Sequence, residues 1–136
     1  MRFKKEMLMK QDEFLIEIDN APNENVIFVF NRDRTDCGCE DDKMNCLLAH
    51  LSIRALARLP KPPAALVFYG TGVNLALKDG ESGKSLLALR EKGTAIYYGS
   101  TSVEYLKLNI ADLVGECIQP TQLMERLMNA GKVITL

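Results

Sequence analysis

Three short runs of almost uninterrupted apolar residues constrain this chain most. They are Val26-Ile27-Phe28-Val29-Phe30, Ala65-Leu66-Val67-Phe68-Tyr69 and Thr94-Ala95-Ile96-Tyr97-Tyr98. A strand with one wet face alternates apolar and polar residues. Runs like these belong to strands buried on both faces, as in parallel sheets. Helical patterns separate them. Met44, Leu47, Leu48, Leu51, Ala55 and Leu56 recur at spacings of three and four and predict one buried stripe of a helix. Glu40, Asp41 and Asp42 fall in its first turn, where acidic residues complement the helix dipole. Pro60, Pro62 and Pro63 stop it. Ser85 to Lys92 predicts a second helix closed by Gly93, and a third carries Val103 and Leu106. Pro120 opens a fourth, with Leu123, Leu127 and Met128 as its stripe. A short strand near Leu113 to Ile118 and a last one at Val133 to Leu136 complete the pattern.

Strands alternating with helices give an α/β fold: a three-layer, flavodoxin-like sandwich around a mostly parallel sheet of about five strands. Residues 21–136 form this domain. Residues 1–20 stand apart as an N-terminal extension or edge strand, with Phe14-Leu15-Ile16-Glu17-Ile18 the strand-like part and Asn20 to Asn25 a turn.

The chain has 136 residues, and 17 Lys+Arg against 18 Asp+Glu leave a net charge of −1, so no nucleic-acid partner is expected. No apolar run approaches the roughly 18 residues of a membrane span, so no membrane partner is expected either. Met7-Leu8-Met9 is too short for a signal-peptide core. The expected location is cytoplasmic, where thiols stay reduced. No cofactor is implied.

Sites in such sheets lie beyond the carboxyl ends of the strands. Three loops should share that rim: Asn31 to Glu40, Gly70 to Val73, and Gly99 to Ser102. Cys37-Gly38-Cys39 lies in the first, between a buried strand and a helix start. A helix N-terminus favours the thiolate, and the glycine lets two thiols approach, whereas the surrounding Asp33, Asp36, Glu40, Asp41 and Asp42 oppose ionisation. Cys37 and Cys39 are therefore candidate sulfur-carrying or redox thiols, weighed against a pair of small loop residues. Cys46 and His50 lie four apart on one helix face, so a zinc site with Cys37 and Cys39 is an alternative, in a spacing unlike the common zinc fingers. Cys117 reads as a buried small hydrophobe. Ser100, Thr101 and Ser102 read as helix-capping hydroxyls. Gly80-Glu81-Ser82-Gly83-Lys84-Ser85 lacks both the earlier glycine and the preceding strand of a phosphate loop.

The second half resembles a known family. Leu66-Val67-Phe68-Tyr69-Gly70-Thr71-Gly72-Val73-Asn74-Leu75 is similar to the strand and loop of the DsrE/DsrF-like sulfur-relay family, in particular the C-terminal domain of YedF-type proteins linked to selenium metabolism. Leu86 to Tyr98, and Leu113-Val114-Gly115-Glu116 followed by a helix and Lys132-Val133-Ile134, resemble later parts of it. The resemblance runs from about Ala64 to Leu136 and is loose from Val26 to Pro63. It implies a homo-oligomer working with a sulfur-donor or acceptor protein. It also implies a binding rim at Gly70, Gly72, Gly99, Ser100 and Thr101. Sulfur-carrying relatives hold a cysteine in the loop after the third strand. Here that loop reads Tyr98-Gly99-Ser100-Thr101-Ser102, with Tyr98 and Thr101 at the two cysteine positions. A hydroxyl cannot hold a persulfide. Two alternatives follow: the carrier thiol has moved to Cys37 and Cys39, or the chain is a binding or scaffold member without transfer chemistry.

Overall fold

The computed structural model describes residues 23–35 and 42–136. The apolar runs become β1 (Asn23–Phe30), β2 (Pro63–Phe68) and β3 (Ala95–Gly99), joined by the short β4 (Glu116–Ile118) and β5 (Lys132–Thr135). They form one five-stranded sheet in the order β4-β3-β2-β1-β5, with every pairing parallel. The helices are α1 (Asp42–Arg58), α2 (Gly83–Glu91), α3 (Ser100–Leu106) and α4 (Pro120–Met128).

Strand order fixes the layers. From β1 to β2, β3 and β4 the chain steps one strand at a time in one direction. Right-handed crossovers then place α1, α2 and α3 on the same face. The return from β4 to β5 runs the other way, so α4 falls on the opposite face. The two cores agree. Ala49, Ile53, Leu56, Leu86, Leu89 and Val103 pack with Phe30, Leu66 and Phe68 on the first face. Leu123 packs with Ile27, Val29, Ala65, Val67 and Ile118 on the second. Each apolar run thus divides its residues between two cores, which is why it lacks polar alternation. Phe30 and Phe68 stack at 5.2 Å between ring centroids. Tyr97 joins the second core and Tyr98 the first, the split expected of neighbouring strand residues.

Several elements differ from the sequence reading. The inward face of α1 is Asn45, Ala49, Ile53 and Leu56, while Met44, Leu47 and Leu51 are exposed. Two apolar periodicities run along this helix. The one carrying small Ala49 meets the sheet, and the bulkier one faces outward. Gly70 to Val73, expected as a loop, lies in a 3-10 helix (Gly70–Ala76). β1 starts at Asn23, inside the expected turn. The strand-like Phe14 to Ile18 lies outside the described residues. α4 begins as expected, with Pro120 in its first turn and Gln119 and Gln122 in a reciprocal capping box.

Candidate functional site at the carboxyl rim

The loops after β1, β2 and β3 meet at one end of the sheet. The Asp33 N–H donates to Thr71 Oγ1 at 3.2 Å, which ties the first loop to the second. The Gly70 N–H donates to Ser102 Oγ at 2.7 Å, which ties the second to the third. Glycine makes this junction close. Gly70 has φ +60°, and a Cβ there would sit 2.7 Å from the Asn31 carbonyl oxygen. A Cβ on Gly72 would sit 2.1 Å from the Phe30 carbonyl oxygen. The second loop therefore lies directly on the end of β1, where a larger residue would push it away.

A small, mostly apolar depression of about 290 Å³ opens between the second and third loops, lined by Gly70, Thr71, Thr101, Ser102, Tyr105 and Leu106. Tyr105 is 85% exposed, so its ring stands at the rim with little packed over it. Of the residues expected at the rim, Gly70 and Thr101 line this depression. Gly72 is buried beneath it. Gly99 occupies the cap position of α3, against the Tyr69 side chain. Ser100 turns away, and its Oγ donates to Gln119 Oε1 at 3.4 Å. No side chain caps α3, so the capping role expected of Ser100 to Ser102 is replaced by the Ser102 bond to Gly70. Tyr105 is a rim residue that sequence reasoning missed, and the contacts of Thr71 and Ser102, within the expected rim loops, were not foreseen. No local pattern marks them, because their role arises from contacts between loops.

Cys37 and Cys39 lie outside the described residues, but the residues that flank their segment are placed. Thr35 N–H donates to the Asn45 carbonyl at 3.1 Å. Arg34 bridges Asp33 at 3.0 Å and Asp42 at 3.1 Å. The Asp33 hydrogen bond, then the charges of Asp33 and Asp42, hold the Arg34 guanidinium above its usual pKa. A fixed cation thus stands where the first loop meets α1.

Cys46 and His50 line one depression of about 420 Å³ with Asp42, Lys43, Leu47 and Glu81, as a spacing of four on a helix requires. His50 Nδ1 lies 2.6 Å from the Oγ of Ser82, and its Nε2 lies 3.7 Å from Glu81 Oε1. Ser82 is 1% exposed, so it ties α1 to α2 and cannot serve as a nucleophile. Among the described residues no group of three or more His, Cys, Asp or Glu is placed to hold a metal ion. The Gly80 to Ser85 segment follows the 3-10 helix rather than a strand, and its Gly83 N–H is bonded to the Gly80 carbonyl. Cys117, expected to be buried, is exposed on the edge strand β4. It stands in register with Tyr98, whose pKa is pushed up by burial first, then by Cys117 and Glu116.

No family model and no curated protein matches this chain. Solved structures do. The protein of unknown function MTH1491 from Methanobacterium thermoautotrophicum superposes with a TM-score of 0.61 at 20% identity, over 84% of this chain and all of its own. YchN from E. coli gives 0.56 at 18% identity, over 84% of this chain and 100% of that one. BT1422 from Bacteroides thetaiotaomicron, also of unknown function, gives 0.52 at 18% identity, over 82% and 95% respectively. This chain shares the fold of these structures. Likeness at these identities concerns the arrangement of strands and helices, and activity is a separate question. Among the described residues no helix is long and apolar enough to cross a membrane.

Proposed function

We propose that this chain is a cytoplasmic protein of DsrE/DsrF-like sulfur relay, with Cys37 or Cys39 as the thiol that carries sulfur. The observation that carries this reading is the hydrogen-bonded junction of the three rim loops, Asp33 to Thr71 and Gly70 to Ser102. It joins the loop that leads to Cys37 and Cys39 to the loop whose cysteine positions hold Tyr98 and Thr101. Tyr98 is 1% exposed and part of the core, so that position is committed to packing. In the transfer step, the Cys37 or Cys39 thiolate attacks the terminal sulfur of a donor persulfide. The donor S–S bond breaks, a new S–S bond forms on this chain, and the donor leaves as a thiolate with no net oxidation.

The test is peptide mass spectrometry after incubation with a cysteine desulfurase and cysteine. A gain of one sulfur atom on Cys37 or Cys39, removed by reductant and lost in the Cys37→Ser/Cys39→Ser double variant, is the expected result. The double variant should retain the native circular dichroism spectrum. Sulfur gained unchanged by that variant overturns the assignment. The burial of Tyr98 also supports a second reading, a binding or scaffold protein on the same fold without transfer. Absence of sulfur on all four thiols would favour it.

A further inference from the structure

The two faces of the sheet are covered unequally. Three helices lie on the first face, and α4 alone, among the described residues, lies on the second. Five strands at about 4.8 Å spacing span roughly 19 Å between the outer strand axes, and a helix with its side chains is about 10 Å across. One helix therefore leaves about half of that face open. A groove of about 570 Å³ runs there, floored by Ile27, Ala65, Ala95 and Tyr97, with Glu116 and Glu125 at its edges. The Arg126 guanidinium lies 4.6 Å above the Tyr97 ring. Val133, in register with Ile27 and so on the same face, is 42% exposed. A parallel sheet is ordinarily covered on both faces, so among the described residues part of this cover is missing.

Three observations identify the cover. The first is position. The groove runs along the sheet from Ile118 to Ala64, Ala65 and Ala95, which lie at the starts of β2 and β3, so it reaches the amino ends of the strands. The chain enters β1 at Asn23 at that same end. The second is length. Twenty-two residues precede Asn23, and about seven of them, extended at about 3.3 Å each, would cross the sheet. The third is chemistry. Phe14, Leu15, Ile16 and Ile18 supply apolar side chains that match the apolar floor of the groove. We propose that residues 1–22 of this same chain cover the groove beside α4. The apolar group of Phe14 to Ile18 meets the Ala65, Ala95 and Tyr97 floor.

The test uses the full chain with a benzophenone amino acid in place of Asn129, an exposed residue at the groove. Light and heavy isotope-labelled chains are mixed before illumination, and the cross-linked peptides are mapped by mass spectrometry. Cross-links from position 129 to peptides within residues 1–22, confined to light–light and heavy–heavy pairs, are expected. Mixed light–heavy cross-links would put a second copy in the groove and overturn the proposal. So would cross-links to other segments alone, or none to residues 1–22.

Discussion

Gly72 sits so close to the end of β1 that any side chain would meet the Phe30 carbonyl oxygen. The loop after β2 would have to lift, taking with it Gly70, Thr71 and their bonds to the neighbouring loops. Gly72→Ala is expected to cost about 1–3 kcal/mol, as overpacking does, and to lower the urea midpoint. A midpoint equal to that of the unchanged chain would mean the loop yields freely. The Gly70-Thr71-Gly72 signature was legible as a rim. The steric reason was not, because the oxygen that enforces it belongs to a strand 42 residues earlier. Cys117 shows the opposite failure. Its apolar character suits a core position, but β4 is an edge strand of three residues and leaves the thiol exposed. Ser102 looked like a capping residue and instead accepts from a different loop.

At the scale of the element, α1 is the most informative. Its sequence carries two apolar periodicities, and the larger side chains are on the outward one. Helix periodicity reports that a stripe exists, and the choice between two stripes depends on how closely the partner approaches. Ala49 permits close packing against the sheet; Met44, Leu47 and Leu51 remain at 44%, 48% and 39% exposure. Apolar side chains gathered on an outer helix face suit an interface. For the self-association that the family resemblance implies, we propose that face as the surface. Leu47→Glu is expected to lower the mass seen by sedimentation toward that of one chain, with stability within about 0.5 kcal/mol because the site is exposed. An assembly of unchanged mass would move the interface elsewhere.

For the molecule as a whole, fold class was the most legible feature. Doubly buried strands alternating with helices admit few arrangements once crossovers are right-handed. The same reasoning explains the three-against-one distribution of helices, although strand order itself was not readable. It depends on β5 pairing with β1 across most of the chain. Hydrogen exchange should reflect this order. Amides of β2, with Leu66, Val67 and Phe68 fully buried, are expected to exchange slowest, and those of the short edge strand β4 much faster. Equal protection in both would mean that β4 is shielded by something more than its one neighbour. The final strand has a practical consequence. β5 runs parallel to β1, and the Leu136 N–H donates to the Val29 carbonyl, so the chain finishes level with the end of β1. A purification tag fused after Leu136 would emerge beside the loop that follows β1 and crowd any docking donor.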